Sequence, residues 1–84
     1  MTAEQLMARF YFDFYDAGGI LRDDDGEELP SATIARKEAL KTVGQAIRDL
    51  TYLHSDGRVV LEVRDGEGPL LRVQAVIETT SIKE

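Results

Sequence analysis

The chain contains no cysteine. That absence removes disulfides, thiolate metal ligands and cysteine nucleophiles together, and it leaves the redox compartment open. There is one histidine, His54, so a zinc site would have to rely on carboxylates, an unattractive ligand set for that ion. No apolar run approaches the roughly 20 residues needed to span a bilayer, and the opening MTAEQLM lacks the basic and apolar parts of a signal peptide. The expectation is a soluble, non-exported, cytoplasmic protein. Basic residues are scarce in one place above all. From Asp13 to Glu28 seven acids face a single base, Arg22, while the rest of the chain holds nine of each. The net charge of -6 therefore belongs to one connection, and its sign disfavours phosphate backbones and anionic membranes.

With 84 residues, 43% hydrophobic and 31% charged, the chain suits one small globular domain with a modest core. The period-2 stretch RFYFDFY (9–15) sets Phe10, Phe12 and Phe14 on one side and Tyr11, Asp13 and Tyr15 on the other, which predicts a strand with one buried face. Gly18 and Gly19 then offer a turn into a short second strand near 20–23. Pro30 ends any extended segment, and Ser31 can cap a helix running from Ala32 to about Leu53. Its apolar stripe is Ala32, Ala35, Ala39, Leu40, Val43, Ala46, Ile47, Leu50 and Leu53. Four alanines on one edge of that stripe would let a sheet come close. VVLEVRD (59–65), the turn signal DGEGP (65–69) and a strand over 70–78 predict a closing hairpin.

The expected fold is therefore α+β: a mainly antiparallel sheet of three to four strands with one helix on one face, in the order β-β-α-β-β with a short second strand. One domain spans 1–84, with 1–7 an N-terminal extension and 79–84 a frayed tail. The helix-facing set is Phe10, Phe12, Phe14, Val59, Leu61, Val63, Leu71, Val73, Ala75 and Ile77. The opposite face mixes Tyr11, Tyr15, Val60 and Val76 with Asp13, Glu62, Arg64, Arg72 and Gln74. Apolar residues on an uncovered face or edge favour self-association.

Taken in order, MARFYFDFYDAGGILRDDDGEELPS, ARKEA and LEVRDGEGPLLRV resemble the small bacterial proteins grouped as domain of unknown function 6894. The resemblance covers nearly all of the chain from Met7 onward and implies no activity. It also implies that the usual start falls at Met7, so that residues 1–6 read as an extension, and that Ser31 stands where relatives tend to carry Asp, which keeps the capping chemistry.

Several constellations invite chemistry and do not support it. If Gly26 is taken as the sixth position of a calcium loop, Leu21 falls first and Ala32 twelfth, so the ligand pattern fails at both ends. His54, Ser55 and Asp56 are turn neighbours that cannot form a hydrolase triad in sequence. GEG (66–68) leads into a strand where a dinucleotide loop needs a helix. Lys37, Lys41 and Arg48 make a basic helical stripe without stacking aromatics, a weak basis for nucleic-acid binding.

No catalytic, cofactor or metal residues are assigned. The leading expectation is a non-enzymatic interaction module, homodimeric through the sheet face or an edge, with Tyr11, Tyr15, Val60 and Val76 at the interface. Asp16, Asp23, Asp24, Asp25, Glu27 and Glu28 form a candidate site for a basic protein partner. The alternative is a ligand- or divalent-metal-binding domain using the same acidic hairpin, and a nucleic-acid-binding regulator ranks below both.

Overall fold

The structure, a computed structural model, describes residues 7–16, 18–53 and 57–83. Its elements are β1 (Ala8–Asp16), β2 (Gly19–Leu21), β3 (Glu27–Leu29), α1 (Ala32–Leu53), β4 (Gly57–Asp65) and β5 (Gly68–Ile77). β1, β4 and β5 lie side by side and antiparallel, and the far margin of β1 is shared by β2 and β3. The result is an α+β domain with an open, five-stranded antiparallel sheet and α1 packed on one face.

β3 is one strand more than the sequence reading contains. EEL before a proline carries no periodicity of its own. It becomes a strand because β1 needs a partner along Ala8–Phe10, and because the pairing delivers Leu29 to the core.

Period 2 and period 3.6 meet in that core. Phe10, Val59, Leu61 and Val63 from the sheet and Ala35, Ala39 and Val43 from the helix are buried. Fully burying a Val or Leu side chain contributes roughly 1.5–3 kcal/mol, so this small set dominates the stability of the domain. Phe12, Phe14, Leu71, Val73 and Ala75 pack around it, partly buried. Ala35 and Ala39 have no exposed surface, so the alanine edge does bring the helix onto the sheet.

Two members of the expected stripe, Ala32 and Leu40, are exposed, and Ile34 packs inward. The side chains of Leu50 and Leu53, and the segment 54–56, lie outside the described residues. Ser31 caps the helix: its Oγ accepts the Ile34 N–H at 3.2 Å, and its carbonyl accepts the Ala35 N–H at 3.1 Å. The closing hairpin turns between Asp65 and Gly68, and the Asp65 carboxylate accepts the Glu67 N–H at 2.8 Å. Residues 78–83 carry no helix or strand.

Candidate functional site

The face of the sheet away from α1 divides into two halves because of what the acidic connection does. Strand alternation puts Arg9, Tyr11, Asp13 and Tyr15 of β1 on that face, and the pairing of Tyr11 with Arg64 and Asp13 with Glu62 continues it into β4. Over the first half, residues 22–26 fold back against β1. The Asp23 N–H donates to Asp13 Oδ1 at 2.9 Å, and the Arg64 guanidinium donates to Asp13 Oδ2 from Nε at 2.8 Å and to the Asp23 carbonyl from Nη2 at 2.8 Å. The same guanidinium lies 4.4 Å from the centre of the Tyr11 ring, a cation–π distance. Asp13 is left only 2% exposed. A residue expected among the solvated polar positions of this face is instead the centre of a buried ion pair.

Asp23 is the second anchor. Its Oδ2 accepts the Phe12 N–H at 3.1 Å, and its Oδ1 accepts the N–H groups of Asp25 and Gly26 at 3.1 and 3.0 Å. The carboxylate thus takes up a β1 amide in the gap between β2 and β3 while closing its own turn, the local bonding that makes Asp a turn residue. Gly26 completes the fold-back with φ +73°, and a Cβ there would stand 2.9 Å from Arg9 Cγ, 2.9 Å from Tyr11 Cε2 and 3.0 Å from the Phe10 carbonyl oxygen. Any side chain there would force the Arg9 and Tyr11 side chains to shift and crowd the Phe10 carbonyl.

These contacts set the charge states. Burial pushes the Asp13 carboxyl up, but the Arg64 hydrogen bond, the Asp23 amide and the charges of Arg64 and Arg22 outweigh it, so the group sits below the ordinary range. Burial raises Asp23 as well, and the Gly26, Phe12 and Asp25 amides bring it below the ordinary value despite the nearby Asp13 charge. Arg64 is raised, chiefly by its hydrogen bond to Asp13. Both carboxylates are therefore held ionised and already hydrogen-bonded, the opposite of the protonated, poised carboxyl that general acid catalysis uses.

The other predicted acidic residues stay outside. Asp16 is exposed and caps the Gly18 N–H at 2.7 Å, Glu28 pairs with Arg9 at 3.1 Å, and Asp24, Asp25 and Glu27 are exposed. A shallow depression is lined by Phe12, Leu21, Arg22, Asp23, Asp24 and Asp25. Among the described residues no group of three or more acidic or histidine side chains converges as metal ligands.

On the second half of the face nothing among the described residues folds over the sheet. Tyr15 and Val60 pair directly and are half-buried, and Val76 is 61% exposed. Ile20, which β2 sets opposite Tyr15, is 68% exposed. A depression of about 250 Å³ runs between Tyr15, Arg58, Val60, Arg72 and Gln74. Tyr11 belongs to the first half, beneath Arg64, so the four candidate interface residues do not form one patch. Ile20 and Arg58 take its place, and only the strand register could have revealed either, because each joins the patch through a neighbouring strand.

Lys37, Lys41 and Arg48 are exposed on α1, across the sheet from Tyr11 and Tyr15, and Lys41 Nζ lies 3.8 Å from Glu38. No described helix is long and apolar enough to cross a membrane.

No curated protein and no solved structure matches the chain. The sequence profile of one family does match, over residues 9–76, from β1 through almost all of β5. This span contains the buried Asp13–Arg64 pair, the Asp23 turn and the open strand, and with most of its length matched the chain belongs to the family described as domain of unknown function 6894.

Proposed function

We propose that this domain is a non-enzymatic interaction module that associates with a second copy of itself through its sheet. The observation that carries this reading is the uncovered half of the outer face, where exposed Ile20 and Val76 flank Tyr15 and Val60. Exposed apolar residues in contiguous sets mark association surfaces, whereas scattered ones do not. The acidic half supports the non-enzymatic reading, because its two most buried carboxylates are engaged in holding the chain together.

Light scattering across a concentration series tests the self-association. A dimer is expected whose population grows with concentration. A strict monomer at the highest concentration overturns the reading.

A second reading concerns a basic partner at the acidic connection. Its support is that Asp24, Asp25 and Glu27 remain exposed beside Asp16 and Glu28 in a region that carries the net charge of the chain. Binding of a lysine-rich peptide should weaken with salt, as exposed charges do over a Debye length of about 8–10 Å. Asp24→Asn with Asp25→Asn should remove it, and retention by that variant rejects the site. Use of the loop for a divalent cation has less support, since Asp23 would have to give up its amide partners.

A further inference from the structure

Phe12 fixes the direction of the main-chain groups across the sheet. Its N–H points away from β4, toward Asp23. In an antiparallel ladder the N–H and C=O of one residue point to the same side, and the side alternates along the strand. Tyr11, Asp13 and Tyr15 therefore bond to Arg64, Glu62 and Val60. Val59, Leu61 and Val63 are left to bond to Ala75, Val73 and Leu71. Arg72, Gln74 and Val76 consequently turn their N–H and C=O groups outward from the sheet, and no described strand pairs with that side of β5.

Natural sheets blunt such edges with proline, bulges, lysine or a covering segment. In β5 these devices stand only at the beginning: Pro69, and an irregularity opposite Val63 and Arg64. From Leu71 to Ile77 the edge has neither, and Arg72 is the one charged residue in the strand.

We propose that β5 pairs antiparallel with β5 of a second copy, about a two-fold axis at Ala75, so that two sheets become one. This rests on the homodimer reading above and assigns the contact to the edge rather than the face. Outward-pointing residues must meet outward-pointing residues, and an axis at Ala75 achieves this by setting Gln74 opposite Val76 of the second copy. It also sets Arg72 directly opposite Glu78 of the second copy, an attractive cross-strand pair. An axis at Arg72 would instead oppose Arg72 to itself. Arg72 Nη2 already contacts Glu62 at 3.1 Å, and the guanidinium has further donors for a second carboxylate. At the axis Ala75 meets itself in a non-hydrogen-bonded pair, where Cα atoms approach to about 4.5 Å and a methyl side chain fits. Both helices then lie on the same face of the joined sheet.

Sedimentation velocity on the full chain, with circular dichroism to follow folding, tests the edge. Gln74→Pro removes an outward N–H, a substitution that an edge strand accepts. Two hydrogen bonds are lost per dimer, so the dissociation constant should rise about tenfold to a hundredfold. Glu78→Arg lies beyond the strand, keeps the proposal testable should the proline disturb folding, and should weaken the dimer by placing like charges across the axis. Ala75→Cys supplies the sole thiol of a cysteine-free chain and should yield a disulfide-linked dimer on oxidation. A wild-type chain that stays monomeric overturns this proposal and the homodimer reading together. A dimer that keeps its wild-type affinity in Gln74→Pro and Glu78→Arg, but weakens in Tyr15→Ser with Ile20→Ser, overturns the edge alone and leaves the face as the contact.

Discussion

The two margins of this sheet are finished in different ways. Beyond β1 the chain supplies two three-residue strands, and between them the Asp23 carboxylate accepts the Phe12 N–H. Short strands and charged side chains make a poor template for another chain. Beyond β5 a strand of ten residues presents its outward amides and carbonyls with no described strand against it. An unpaired backbone group in water costs little, whereas one buried without a partner costs as much as a lost hydrogen bond. The β1 margin lies under the folded-back loop, and so its groups had to be satisfied within the domain. Among the described residues no strand pairs with the β5 margin, and its groups remain available.

Substitutions at the two margins should therefore differ in kind. The largest effect is expected at Asp13→Ala, which strands Arg64 beneath the loop. Breaking a buried pair costs roughly 3–5 kcal/mol, and the cost here should fall near about 3 kcal/mol because the Arg64 side chain remains 19% exposed. Urea unfolding measures it. Combining Asp13→Ala with Arg64→Met should cost less than the sum of the two single changes, since the unpaired charge is then gone.

Asp23→Ala comes next, at about 2 kcal/mol, from charge-assisted hydrogen bonds to main-chain amides. Hydrogen exchange should locate the damage at Phe12, Asp25 and Gly26; uniform acceleration over the sheet would show that Asp23 is not what closes this margin. Gly26→Ala should cost roughly 1–3 kcal/mol, because it combines a left-handed backbone with contacts to β1. On the open margin, Gln74→Ser should change the stability of the monomer by no more than about 0.5 kcal/mol. A loss there as large as that of Asp23→Ala would erase the distinction between the margins.

Acid should act on the closed margin. Asp13 and Asp23 have folded-state values depressed below the unfolded carboxyl value of about 4. Their stabilisation is therefore complete above that value and is lost as the pH falls through the lower, folded values. The melting temperature should drop on acidification below about pH 4, and Asp23→Asn should reduce that dependence. A melting temperature that is flat through this range would mean that neither carboxylate is held ionised by the fold.

Much of this was legible in the residues themselves. Phe10, Phe12 and Phe14 at period 2, the Ser31 cap and the DGEGP turn are local signals, each depending only on neighbours in the chain, and the structure places each where its local chemistry points. The buried role of Asp13 was not legible. Alternation correctly assigns it to the outer face, but its partner Arg64 is 51 residues away, and nothing local brings the two together. β3 escaped for the same reason, since three residues acquire strand character only from the β1 segment they pair with.

The charge of RDDDG had been equally ambiguous. Composition makes it an acidic surface, and only the fold-back separates Asp23, spent on amides, from Asp24 and Asp25, which face water. The sequence by itself determined every element but β3, the two faces of the sheet and the place where the charge is concentrated, because periodicity, capping and turn chemistry act within a few residues. Only the tertiary structure decided which half of the outer face is covered and which margin is closed, because those outcomes depend on hydrogen bonds and ion pairs between residues that only long-range strand pairing brings together.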